Sequence, residues 1–179
     1  MKTSKLLQAL AIVASLGFLS SCSSIPKGVT AYKPFEKERY LGKWYEIARI
    51  DFKYEKDLNN TTAEYTVNPD GSIKVNNQGY NTKTNEWQQA IGKAKFIGSD
   101  TIAMLKVSFF GPFYSGYNVI AIDPDYTYAL VAGKNHKYLW ILSRTTTIPD
   151  DVKEKYLKIA QESGYNTSDL LWIEQDKQK

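Results

Sequence analysis

Few residues in this chain are equipped for covalent or acid–base chemistry. There is one cysteine, Cys22, and one histidine, His136. A thiolate is a strong nucleophile, but Cys22 ends a long apolar run and has no second thiol or nearby imidazole in sequence to activate it. His136 closes the run Gly133-Lys134-Asn135-His136, a turn composition in which a solvated ring is expected rather than a base. With one Cys and one His, no soft metal centre can be assembled. Neither a Gly-x-Ser-x-Gly elbow nor a phosphate-cradling glycine loop occurs. Glu46 is the one candidate for acid–base work, and only if its side chain faces inward. The expectation is a protein without catalytic residues, metal or cofactor.

The chemistry left to Cys22 is modification. Lys2 and Lys5 precede an apolar stretch, Leu6–Leu19, of about 14 residues, too short to span a bilayer where roughly 20 are needed. The segment reads as a secretory signal over residues 1–21. Leu19-Ser20-Ser21-Cys22 resembles the bacterial lipobox, in which the thiol receives a diacylglycerol and cleavage leaves the cysteine first. Stable anchoring takes two or more fatty chains, which an acylated Cys22 would carry. Ser23 rather than Asp follows, which in lipoproteins implies sorting to the outer membrane. Removing the signal takes away two lysines and no acid, so the net charge falls from +4 to about +2. That balance, without a clustered basic face, gives no basis for nucleic-acid binding. About 158 residues remain, one domain, with no thiol left for a disulfide.

The elements that must position any site are strands. Ser23–Thr30, broken by Pro26 and Gly28, reads as the end of a tether over residues 22–33. From Lys43 onward, segments rich in Val, Ile, Tyr, Phe and Thr recur between turn signals, placing strands near 43–50, 61–68, 72–80, 86–97, 101–110, 115–123, 126–133 and 137–144. Ala63 and Tyr65, then Leu105, Val107 and Phe109, then Tyr138, Trp140 and Leu142, alternate with neighbours of the opposite face. Eight such strands in sequence predict an all-β, up-and-down antiparallel barrel, which removes exposed edges. Asn68–Gly71, Gly98–Asp100 and Asp123–Asp125 are tight turns that close one end. The looser connections Asp51–Asn60, Asn81–Asn85, Gly111–Ser115 and Gly133–His136 surround a mouth at the other. Pro149, Asp150 and Asp151 start one C-terminal helix and Gly164 ends it. Val152, Tyr156, Ile159 and Ala160 give it an apolar face to pack outside the barrel. Leu170–Ile173 is short and apolar enough to add a strand, and residues 176–179 form a polar tail.

Four segments carry a family resemblance. Gly42-Lys43-Trp44-Tyr45-Glu46-Ile47-Ala48 resembles the Gly-x-Trp motif that opens the first strand of lipocalins. Tyr138-Leu139-Trp140-Ile141-Leu142-Ser143-Arg144 resembles their closing arginine segment. Val107–Tyr114 and Tyr117–Asp123 look like the bacterial lipocalins related to apolipoprotein D, although Ser115-Gly116-Tyr117 stands where the family often has Thr-Asp-Tyr. The resemblance covers residues 34–175. It implies a lipocalin barrel in which Gly42, Trp44 and Arg144 are scaffold, with Trp44 plugging the closed end under Arg144. It also implies a carrier of fatty acids or lysophospholipids, suited to cell-envelope maintenance.

Carrying the alternation inward gives a candidate lining of Ala63, Tyr65, Val75, Asn77, Ala90, Ala94, Leu105, Val107, Phe109, Tyr138, Trp140 and Leu142. The alanines leave room where a filled barrel would place branched bulk, and eight strands suffice to enclose one small ligand. Rival readings are a lipid-modifying enzyme of the same fold and a ligand-free envelope spacer. The apolar stretch Phe109–Tyr114 falls at the mouth, where its rings either contact a membrane or partner or fold over the cavity. A homodimer is the assembly left open.

Overall fold

The computed structural model describes residues 24–177; the signal segment, Cys22 and the last two residues lie outside the described residues. Eight antiparallel strands run in sequence: β1 Gly42–Ile50, β2 Leu58–Val67, β3 Ile73–Asn81, β4 Glu86–Phe96, β5 Met104–Phe110, β6 Phe113–Ile122, β7 Tyr128–Gly133 and β8 Leu139–Ser143. Each pairs with the next, and β1 pairs with both β2 and β8, which closes the barrel. The short helix α1, Lys37–Tyr40, precedes β1, and helix α2, Asp150–Glu162, follows β8. The terminal strand β9, Leu170–Trp172, adds to β1. Strand starts differ from the sequence expectation by a few residues. β2 begins at Leu58 because a register shift between Asn59 and Thr62, with Asn60 at positive φ, lets it pair earlier.

Alternation along the strands divides the apolar residues into two cores. Val119, Ala129, Val131 and Leu142 point inward with Trp44, while Leu130, Ala132, Leu139 and Ile141 point outward. The outward set is covered by α2 through Tyr156 and Ala160, both buried, with Val152 and Ile159 alongside. Tyr156 also donates its hydroxyl proton to the Tyr128 carbonyl at 2.7 Å. His136 contacts the Ser163 carbonyl at 2.9 Å just past α2 and packs edge-on against Tyr165, so its role is to fasten the helix end.

Strand β1 changes neighbours halfway. Gly42–Tyr45 pair with β2, whereas Ala48–Ile50 face β9. A bulge between Glu46 and Ala48 makes the change. It also resets the side-chain parity: Ile47 and Ala48 both join the outer core, and Arg49 returns to the side of Glu46. The gap that β2 leaves beside β1 is stitched by the chain end. Ile173 donates to the Ile47 carbonyl, Asn60 donates to the Glu174 carbonyl, and the Gln175 amide bridges the carbonyls of Glu46 (2.8 Å) and Thr61 (2.9 Å).

Residues 24–33, whose composition reads as a spacer, are packed on the barrel, with Val29 against the outer core and Tyr32 against the inner one. The Tyr32 amide donates to the Val119 carbonyl, the Ala103 amide donates to the Tyr32 carbonyl, and Asn118 donates to the Ser24 carbonyl at 2.8 Å. Gly116 permits this approach, because a Cβ there would overlap the Ser24 carbonyl oxygen.

The closed end is plugged by aromatic rings. Trp44 is fully buried and donates its indole N–H to the Tyr40 carbonyl at 2.8 Å. The Arg144 guanidinium lies 3.8 Å above the Trp44 ring and donates to the carbonyls of Arg39, Leu41, Lys43 and Tyr126. Gly42, at φ +90°, lets the chain turn from α1 into β1 beneath that guanidinium. One side chain thus caps the ring and collects the loose carbonyls of the segment that enters β1. Removing it forfeits the cation–π contact, about 0.5–2 kcal/mol, and several charged hydrogen bonds. Arg144→Ala is expected to cost about 2–4 kcal/mol and to lower Tm by about 5–10 °C in a calorimetric scan. An unchanged Tm would show that the cap is not what holds this end.

Candidate functional site

Above the plug the barrel is hollow. One cavity of about 480 Å³ runs from the aromatic floor to the mouth. Its wall includes all twelve residues that alternation turns inward: Ala63, Tyr65, Val75, Asn77, Ala90, Ala94, Leu105, Val107, Phe109, Tyr138, Trp140 and Leu142. They come from β2, β3, β4, β5 and β8 and from the residue preceding β8, so the lining is a property of the closed barrel and not of one hairpin. Gly42, Trp44 and Arg144 lie below the cavity, in the plug, and do not line it.

The floor carries polar atoms. Tyr117 shares hydrogen bonds with the hydroxyls of Tyr40 (2.6 Å) and Tyr65 (2.7 Å). Three hydroxyls joined by two bonds leave one O–H able to donate to a ligand atom or a water. Burial raises the pKa of all three phenols, so they remain neutral donors throughout the physiological range. Tyr117 follows Gly116 in β6, and alternation through Val119 could have placed it inside.

A second polar group sits near the mouth, and it was legible only in part. Glu46 faces the cavity, as acid–base work would need, but its carboxylate is held by Arg49 at 2.9 Å. Burial pushes the Glu46 carboxyl up, while the Arg49 charge and hydrogen bond pull it down. Arg49 is fully buried and also donates to Asp51 (3.0 Å) and to the carbonyls of Glu55 (2.6 Å) and Leu58 (3.1 Å). It therefore ties down the loop between β1 and β2. A spacing of three in a regular strand would send Glu46 and Arg49 to opposite faces; the bulge reunites them, which alternation alone cannot foresee.

Glu55 completes the cluster from the loop. It accepts a hydrogen bond from the Trp140 indole at 3.0 Å, and burial, reinforced by the Glu46 charge, raises its pKa to about 8. Phe52, from the same loop, packs edge-on against Tyr138 and Trp140. The loop is thus a strap across part of the mouth, fastened by a carboxyl that is mostly protonated at neutral pH. Among the described residues no cluster of His, Cys, Asp and Glu could hold a metal ion.

A closed eight-stranded barrel, a Trp–Arg plug at one end, an open cavity at the other and a helix packed outside define a lipocalin. The chain matches the lipocalin-like domain over residues 35–175 and belongs to that family. It is 49% identical over 173 residues to the outer membrane lipoprotein Blc of Escherichia coli K12, covering 96% of this chain and 98% of that protein. The Blc lipoprotein of Vibrio cholerae is 42% identical over 170 residues, covering 94% and 99%. Insecticyanin from the tobacco hornworm shares the fold, with a TM-score of 0.68 at 18% identity, over 83% of this chain and 85% of that one. The chain is localised to the outer membrane, as the names of its bacterial relatives indicate.

Because Glu55 gains a proton on folding, its hold is fullest below the ordinary carboxylate range and is lost as pH rises through about 8. Unfolding free energy measured in urea is expected to decline between about pH 5 and pH 9, by no more than about 1.4 kcal/mol per pH unit. Glu55→Gln, a permanent mimic of the protonated form, is expected to flatten that decline. Equal slopes in both proteins would place the titration elsewhere.

Proposed function

We propose that this chain is a lipid-anchored carrier that takes the acyl chain of a fatty acid or lysophospholipid into the barrel and is held at the outer membrane through acylated Cys22. The observation that carries the reading is the cavity: about 480 Å³, walled mainly by apolar side chains, open at one end and set with polar groups at floor and mouth. That size and lining suit one small lipophilic molecule. Burying about 14 methylenes yields on the order of 11 kcal/mol gross, and association takes back about 4–15 kcal/mol. Methylenes alone therefore leave the balance near zero, and contacts to the head group decide the affinity. Glu46 and Glu55 at the mouth and the tyrosine hydroxyls at the floor, which line the cavity, are the groups placed to make them.

Turnover is not part of this reading. The relatives are named as lipoproteins and lipocalins, and Glu46, the one carboxylate considered for acid–base work, is engaged by Arg49. A lipocalin without a ligand would serve as a spacer, for which a hollow interior has no use.

Tryptophan fluorescence of the delipidated protein should change saturably on titration with long-chain fatty acids and lysophospholipids, since Trp140 stands in the cavity wall. Ala94→Phe, which fills the buried middle of the wall, should weaken binding at least about tenfold, and Ala90→Phe nearer the mouth should do so with less strain on the core. Flat titrations with every lipid, on a folded protein, would refute the carrier and favour the spacer.

A further inference from the structure

The chain leaves the barrel beside the mouth. Ser24, the first described residue, rests on Gly116 and Asn118 of β6, with Lys134 of the β7–β8 loop adjoining. Gly116 is three residues from Phe113, where β6 begins at the mouth, and six from Ile122, where it ends at the closed end. Cys22 lies two residue steps before Ser24, a span of at most about 7 Å. The rim lies about 10 Å along the strand from Gly116 and the closed end about 20 Å. An anchor on Cys22 therefore reaches the mouth side of the molecule and falls well short of the other.

The rim on that side is built of exposed rings. Tyr54 and Phe110 are each 68% exposed and Phe113 78%, with Tyr114 beside them. All four border the cavity at its mouth while remaining largely open to solvent, and Tyr54 meets Phe110 at 6.1 Å, so the β1–β2 loop and the end of β5 contribute to one apolar edge. The charges around it are unbalanced. Asp51 is taken by Arg49, Asp57 by Lys83 at 3.0 Å, and Glu55 is buried, which leaves Glu86 at the start of β4 as an exposed acid of the mouth loops. Among the described residues Lys53, Lys56, Lys106, Lys134 and Lys137 form no ion pair. Aromatic rings flanked by unpaired lysines are the composition that settles at the headgroup level of a bilayer with anionic lipid.

We propose that the mouth rim formed by Tyr54, Phe110, Phe113 and Tyr114 docks on the lipid leaflet that holds the Cys22 anchor, so that the cavity opens directly onto the membrane surface. This rests on Cys22 being acylated. The occupant of the rim is lipid: the anchor delivers the rim to the leaflet, the lysines match anionic headgroups, and the rings supply apolar area. A ligand would then pass between leaflet and cavity without crossing bulk water.

The test uses the full chain, lipidated in a bacterial host and reconstituted into vesicles of phosphatidylethanolamine with a minority of phosphatidylglycerol. Acylation consumes the native thiol, so Phe113→Cys at the rim and Asp125→Cys in a closed-end turn each offer a single site for a nitroxide. On reconstitution the label at position 113 should lose collisions with a water-soluble nickel complex and gain them with oxygen, while the label at 125 stays accessible to nickel. Equal nickel access at both positions on an acylated chain would overturn the proposal alone. Dipolar broadening between labels at 113, persisting on dilution with lipid, would show a second copy covering the rim and would also overturn it. A mass showing unacylated Cys22 would remove the anchor reading and the proposal with it, leaving ligand titrations of the cavity unaffected. As a second measurement, full-length Cys22→Ser protein lacks the anchor, and its sedimentation with the same vesicles should fall about tenfold for each ring removed in Phe110→Ser and Phe113→Ser. Undiminished sedimentation would count against the rim.

Discussion

The bulge in β1 is the constraint on which most of this molecule turns. A barrel strand has two faces and a strict period of two, yet β1 must serve three surroundings in nine residues. Its first half sends Trp44 into the plug; its middle must present Glu46 to the cavity; its second half lies beneath the helix. One extra residue between Glu46 and Ala48 allows this, because Ile47 and Ala48 share the outer face and Arg49 turns back inward. A buried arginine would be costly alone. Here it meets the carboxylates of Glu46 and Asp51 and the carbonyls of Glu55 and Leu58, partners that lie in β1, in the strap that closes the mouth and at the start of β2. The same irregularity thus ends the pairing with β2, opens the place for β9 and fixes the gate of the cavity.

Alternation made the barrel and its lining legible because side chains on a pleated strand have no choice of face. Tyr138, Trp140 and Leu142 point inward for the same reason that Leu139 and Ile141 lie under α2. The reading ends where the period breaks. Arg49 stands beyond a bulge, and Glu55 comes from a loop whose fold depends on Arg49, so neither has a periodic signal. The contacts of Gln175 and of Ser24 join residues more than ninety positions apart and follow from the closed barrel, not from local composition. His136, the residue that chemistry would examine first, is engaged with the end of α2.

The interior is polar at both ends and apolar between. Neutral phenols occupy the floor, a carboxyl–guanidinium cluster occupies the mouth, and small residues such as Ala63 and Ala94 keep the middle open. Such a gradient suits a molecule with a long apolar body, and at the mouth the strap holds the Glu55 carboxyl against the Trp140 indole. Rigid walls and an ion-paired strap divide the work: β-strands define the volume, and one loop defines access.

The seam between β1 and β2 has a consequence for how the molecule comes into being. Direct pairing covers only Gly42–Tyr45, and the mouth half of the seam is closed by β9 and by residues 173–175. These lie among the last residues of the chain. The wall is therefore incomplete until residues 170–175 have packed against β1 and β2, so closing this half of the barrel joins segments more than a hundred positions apart in sequence and carries the loop-closure cost of a long-range contact.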